Sequence, residues 1–275
     1  MHRFQYICRQ SKAVASVLAP LFLFIGVLMT APEAQAAPIR VLSLDSCADQ
    51  YVLALAAEEQ IAGLSPRATW DDSFYQHRAQ DFPSVRPTLE AVLAQNPDLV
   101  VAMWADGALV ERLQNLGIQV LRLPMPRTFE EIRQVTQQFA ARLGQANTAR
   151  QLINHMDSLL RQGQTQSGTV AYLTPGGVTS GPGTLPAEII AASGYQLMET
   201  RAGYHALSLE TWMQNPPSQV VASYFKGHQG QWSWGQHAVV RRRLQEIPMQ
   251  HLNPKWVGCP AWFAAYAVAR LRGGL

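Results

Sequence analysis

Along this chain, short apolar runs alternate with longer stretches whose apolar positions recur every three or four residues. The runs at 41–44 (VLSL), 61–64 (IAGL), 99–102 (LVVA) and 119–123 (QVLRL) are compact and mostly β-branched or leucine. Such runs predict buried strands. Between them, helical spacing predicts helices over about 46–57, 89–95 and 108–116. Asp45 or Ser46 stands at the first helix start as a cap. Asn96-Pro97 stops the second helix, and Gly117 ends the third. Residues 66–87 keep no period and carry prolines, so they are expected to be irregular. Strands alternating with helices of about ten residues predict an α/β fold with a mostly parallel sheet.

The middle of the chain changes character. Thr128 caps a predicted helix whose first turn carries Glu130 and Glu131 and which meets Gly144 after Leu143. A second helix follows over about 147–161, with Leu152, Met156, Leu159 and Leu160 as its apolar stripe. A Gly/Ser/Gln-rich stretch, 162–168, separates it from what comes next.

What comes next repeats the beginning. RVLSLDSCADQYVLALAAEEQIAGLS (40–65) is followed by TLEAVLAQNPDLVVA (88–102). GTVAYLTPGGVTSGPGTLPAEIIAASGY (168–195) is followed by SLETWMQNPPSQVVAS (208–223). Each copy runs strand, turn, amphipathic helix, and then a step of the form S/T-L-E, NP, VV. Two lobes on one plan leave a cleft between them, where small molecules bind. The expected organisation is a leader over 1–36, a first lobe over 37–143, a connecting helix within 144–167 and a second lobe over 168–275.

The leader has Arg3, Arg9 and Lys12 ahead of an apolar run from Ala13 to Thr30, then Ala34-Gln35-Ala36. That is the order of a signal peptide cleaved near Ala36. A single membrane anchor is the competing reading of the same run, and the small-residue site favours cleavage and export to the periplasm. Cys8 precedes the apolar run, so it cannot be a lipoprotein's acylated cysteine. The whole chain has 22 Lys and Arg against 19 Asp and Glu. Beyond residue 36 the balance is 19 to 18. A near-neutral surface makes no electrostatic case for nucleic acid.

Two cysteines remain beyond the leader, Cys47 and Cys259. In an oxidising compartment a disulfide between them is the first expectation. Free thiols facing a ligand and two unrelated buried cysteines stay open beside it. No G-x-S-x-G elbow and no P-loop occurs, so an enzyme is the less favoured class, with an exported interaction protein as a third.

The ordered set of the two repeat copies, the LGIQVLRLP strand and the helices between them resembles the periplasmic substrate-binding proteins of ABC importers for vitamin B12, ferric siderophores and haem. The likeness covers essentially the whole chain beyond the leader. It implies two Rossmann-like lobes joined by one long helix, a ligand cleft between the lobes and little motion on binding. It further implies a metal-chelate cargo (cobalamin or another corrinoid, or a ferric siderophore), delivery to an inner-membrane permease, no covalent chemistry, no resident cofactor and a monomer. Haem or a bare metal ion is the alternative cargo. Glu90 and Glu210 stand at matching positions of the two copies, where family members carry the glutamates that pair with permease arginines.

Cleft walls in open α/β sheets come from the loops after the strands' carboxyl ends. Those loops offer Ser46, Cys47, Trp70 and Trp104 in the first lobe. In the second they offer Tyr204, Tyr224, Trp232, Trp234, Trp256 and Cys259. Flat aromatic faces suit a corrin or porphyrin. Tyr204, His205 or Tyr224 would be the axial ligand if the cargo were haem. His205, His228 and His237 are scattered, and no metal site is expected from them. The triplet Arg241-Arg242-Arg243 reads as a solvated helix face.

Overall fold

The structure is a computed structural model that describes residues 38–174, 177–208, 210, 214–223, 242 and 245–275. The leader lies outside the described residues.

The first sheet holds β1 (Val41–Ser43), β2 (Ile61–Gly63), β3 (Leu99–Ala102) and β4 (Gln119–Arg122), all parallel, in the order β2-β1-β3-β4. Helices cover both faces, so β1, β2 and β3 are buried on both sides, whereas β4, expected to be buried, is an edge strand with Gln119 and Arg122 exposed. Val41, Leu99 and Val101 face the core that holds α1 (Ser46–Leu55) and α4 (Phe129–Leu143). Leu42, Val100 and Ala102 face α2 (Leu89–Leu93) and α3 (Gly107–Asn115). Helix α2 stops where expected: Asn96 takes a φ of 47°, a left-handed conformation that asparagine tolerates, directly before Pro97.

The second sheet repeats the plan. Strands β5 (Thr169–Leu173), β7 (Gln196–Leu197), β9 (Gln219–Ser223) and β10 (Met249–Leu252) lie parallel in the order β10-β9-β5-β7. Taken in chain order, both sheets place their strands 2-1-3-4. The internal repeat in the sequence is therefore a repeat of topology. An additional antiparallel pair, β6 (Val178–Ser180) with β8 (Tyr204–Ala206), stands beside the second sheet.

Helix α5 (Ala146–Leu160) follows α4 after Gly144, whose φ of 71° turns the chain. Helix α4 packs on α1 and on α5. Helix α5 packs on the last helix, α8 (Ala265–Leu271), which also packs on α6 (Leu185–Ser193). A single apolar cluster runs from Val41 and Tyr51 through Phe139 and Met156 to Val170, Ile189 and Val268. Because this core passes through α4 and α5, the lobes share packing rather than a flexible tether. Arg272 closes the C-terminal end. Its Nη1 donates to the Leu160 carbonyl at 2.6 Å and its Nη2 to that of Ala192, covering the ends of α5 and α6.

One buried group makes this fold pH-sensitive. Asp49 is fully buried on α1 and accepts from the Ser43 hydroxyl, the Ser65 amide (2.8 Å) and the Ser65 hydroxyl (2.5 Å). Burial outweighs these donors and pushes its carboxyl up to about 7, with Asp45 adding a smaller upward push. The folded state thus holds a proton that the unfolded chain has already released above its ordinary value of 3.8. Asp49 therefore withdraws stability as pH rises from about 4 to 7, by on the order of 4 kcal/mol in total. In Asp49→Asn that part of the slope should vanish, because the amide does not titrate, and the serine hydroxyls can turn to accept from it so that the fold is kept. Urea unfolding at pH 4.5, 6 and 8 checks this, and parallel profiles for the two proteins would refute it.

Candidate functional site

In the strand order 2-1-3-4 the chain leaves β1 toward one edge and β3 toward the other. The crevice at that switch point lies at the carboxyl ends of β1 and β3. Asp45 follows β1 and ties this point together. Its Oδ1 accepts from the amides of Cys47 (3.2 Å) and Ala48 (3.0 Å), capping α1. Its Oδ2 accepts from the amides of Met103 (2.7 Å) and Trp104 (2.9 Å), just past β3. One carboxylate thus fixes both a helix start and the loop that presents Trp104. The Trp104 side chain stands in the open at 54% exposure.

Trp104 lines a cavity of about 640 Å³ between the lobes. Met125, Pro126 and Arg127, from the loop between β4 and α4, continue the same wall. The opposite side comes from Gly183 and Thr184 at the start of α6, from Gly203 and Tyr204 on the β8 hairpin, and from Gly258 and Pro260 around Cys259. The hairpin can close on this loop because position 181 is glycine. Any Cβ there would collide with the Arg201 carbonyl, and the Gly181 amide donates to Gly203 O at 2.8 Å. Beside Tyr204, the His205 Nε2 lies 2.7 Å from the Glu199 carboxylate, which anchors the hairpin's base.

Cys47 and Cys259 are bonded, with S–S 2.08 Å and Cα atoms 5.2 Å apart. Both are buried, at 2% and 9% exposure. The bridge joins the first turn of α1 to the segment following α7 (Pro254–Val257). Around it the lobes are fastened further. The Tyr51 hydroxyl donates to Pro260 O at 2.8 Å, and Trp262 Nε1 donates to the Tyr75 hydroxyl at 2.8 Å. Phe74 stacks on Phe263 with centroids 4.4 Å apart. Burial pushes the Tyr75 phenol up to about 12.

Of the aromatic positions singled out from the sequence, Trp104 and Tyr204 come together on the cavity. Ser46 is half-buried beside Cys47. Trp70 is exposed, with the Arg67 guanidinium 4.5 Å over its ring, and does not line the cavity. Trp256 stacks on Tyr266 and lines a separate hollow with Asp72 and Lys255. Tyr224, Trp232 and Trp234 lie outside the described residues, as do His228, His237, Arg241 and Arg243. Among the described residues no group of three or more His, Cys, Asp or Glu could hold a metal ion.

The segment 125–127 is not among the candidates drawn from the sequence, although the strand-end rule applied to β4 points to it. The Phe74–Phe263 contact is not among them either, and no local pattern signals it. Glu90 and Glu210 are both exposed and neither lines the cavity. Glu90 sits in the first turn of α2 behind its cap Thr88.

No protein-family model matches the chain, and no curated protein does. Solved structures do match. A possible iron-binding periplasmic solute-binding protein of Staphylococcus epidermidis aligns with a TM-score of 0.71 at 14% identity, covering 86% of this chain and 98% of that one. The periplasmic haem-binding protein HutB of Vibrio cholerae gives 0.68 at 19%, covering 86% and 98%. The periplasmic vitamin B12-binding protein BtuF of Vibrio cholerae gives 0.64 at 18%, covering 86% and 96%. The chain has the two-lobed α/β fold of these periplasmic binding proteins.

Proposed function

We propose that this chain captures a bulky metal chelate between its lobes and delivers it to an ABC permease in the inner membrane, without covalent chemistry of its own. The observation that carries this reading is the inter-lobe cavity of about 640 Å³ at the switch point, walled by Trp104 and Tyr204. Its size lies in the range of small-molecule sites. Flat rings give a corrin or porphyrin face a large contact at low rotamer cost. The fold shared with binding proteins for vitamin B12 and haem supports the same cargo class. In this reading the leader over 1–36 exports the chain to the periplasm, and residues 37–143 and 168–275 act as the two halves of the clamp.

A corrinoid or ferric siderophore is the first cargo, and haem is the second. Tyr204 favours haem specifically, since its phenol is an oxygen donor of the kind that ligates ferric haem. Absorbance titration separates the two. A corrinoid binder should lose at least tenfold in affinity, about 1.4 kcal/mol, when Trp104 and Tyr204 are both replaced by alanine. In that case Tyr204→Phe leaves binding intact. A haem binder should instead lose the phenolate-to-iron absorption band in Tyr204→Phe. Full affinity for both chelates in the double alanine variant would refute the assignment of this cavity.

A further inference from the structure

The described lining of the cavity holds a single charged residue, Arg127. Its backbone is fixed: the Arg127 amide donates to Glu131 Oε2 at 2.6 Å, in the turn that starts α4. Its guanidinium is exposed and has no hydrogen-bond or ion-pair partner among the described residues. The other polar side chains nearby are differently placed. The Thr184 hydroxyl is spent within the protein, donating to Gly181 O at 2.8 Å and accepting from the Ala187 amide at 3.3 Å. The Tyr204 hydroxyl belongs to the opposite lobe's wall. Glu131 and Glu188 stand close by, and each accepts a backbone amide, Glu188 that of Phe129 at 3.4 Å. Neither is paired with the guanidinium.

An unpaired guanidinium fork on an otherwise apolar, aromatic wall has a definite chemical complement. It suits an anionic oxygen group attached to a flat body, met by two parallel N–H···O bonds. Closing the slot around the body removes water from that pair and strengthens it. We propose that this cleft selects metal chelates that carry an anionic arm, a carboxylate or a phosphodiester, and that Arg127 is the residue that receives it. The inference rests on the reading of the cleft as a metal-chelate site and names the part of the cargo that site recognises.

Two ligand pairs test that arm: haem against its dimethyl ester, which differ in it alone, and cobalamin against cobinamide, which differ also in the nucleoside and base that the phosphodiester carries. Haem carries two carboxylates, and its dimethyl ester carries none. Cobalamin carries a phosphodiester, and cobinamide lacks it. Affinities of all four would be measured by absorbance titration for the wild type, Arg127→Gln and Arg127→Lys. In at least one pair the wild type should prefer the anionic member by about tenfold, the worth of one charge-assisted contact. Arg127→Gln should remove that preference, so that both members of the pair bind alike, and Arg127→Lys should restore part of it. Whether the haem or the cobalamin pair responds tells a carboxylate from a phosphodiester arm. A preference that survives in Arg127→Gln, or equal binding of both members by the wild type, overturns the role of Arg127 and leaves the chelate reading standing. Failure of all four to bind overturns this inference, since neither anionic arm is then received, while the chelate reading is decided separately by ferric siderophores.

Discussion

Replacing Cys47 and Cys259 by serine should destabilise the oxidised protein by about 3–5 kcal/mol and lower its melting temperature by roughly 10 °C. The two cysteines are 212 positions apart in sequence, so the bridge closes nearly the whole described chain into one loop. In the chain-entropy picture a loop of that length restricts the unfolded ensemble by about 5 kcal/mol, the upper end of what disulfides deliver. The bridge also spans the cleft wall. Cys47 lies in the α1 turn that Asp45 caps, and Cys259 lies between two residues that line the cavity. Cargo affinity should therefore fall several-fold, because the freed lobes must be ordered again when they bind. The fold should survive, since the Tyr51–Pro260 hydrogen bond and the Phe74–Phe263 stack still hold the lobes. Calorimetry of the oxidised wild type against the double serine variant checks this. An unchanged melting temperature, or two alkylatable thiols in the wild type purified without reductant, would contradict it.

The second large effect is on transport. Reversing Glu90 and Glu210 to arginine should reduce uptake at least tenfold while leaving cargo affinity in solution within about twofold of the wild type. The two carboxylates occupy equivalent places in the repeated plan: Glu90 opens the helix before β3, and Glu210 lies in the segment before β9. Both are exposed, and neither touches the cavity lining. On a permease of the proposed kind, one negative charge on each lobe would fix the orientation of docking. Two like-charge encounters at that surface would cost several kcal/mol in the variant. If each glutamate only complements its helix dipole, reversal costs no more than about 1 kcal/mol of stability. Uptake would then be normal, which is the outcome that sinks the docking role.

Several of these features are legible in the amino-acid sequence itself. The repeated strand–helix step points to the shared topology of both sheets, because strands buried on both faces must read as apolar runs. Asp45 is visible as a cap, since a side-chain acceptor before a helix is a local signal. Its second bond set, to the amides of Met103 and Trp104, joins residues 58 and 59 positions away and leaves no trace in sequence. The same holds for the lobe-to-lobe aromatic cluster. Phe74 and Tyr75 sit in an aperiodic stretch, and their partners Trp262 and Phe263 lie about 190 positions later, so neither side shows a pattern alone. The strand-end rule places Trp104 and Tyr204 near the cleft. It does not separate them from Trp70 and Trp256, which follow strands too but turn away from the cavity. The strand-end rule reaches Arg127 only as part of the segment after β4, and a lone exposed arginine in a loop is ordinary until the cavity beside it is seen.

If the inter-lobe cavity holds a metal chelate, binding should stabilise the folded protein. That is read from the melting temperature of the protein in the presence of cobalamin, cobinamide, haem, and catecholate and hydroxamate ferric siderophores. A cargo present at a hundredfold excess over its Kd stabilises the folded state by about 2.7 kcal/mol. For a protein of this size that raises the melting temperature by roughly 5–10 °C. Such a rise is expected with at least one of these chelates, and it should be lost when Trp104 and Tyr204 are replaced by alanine. A melting temperature unmoved by every chelate in the panel would contradict it.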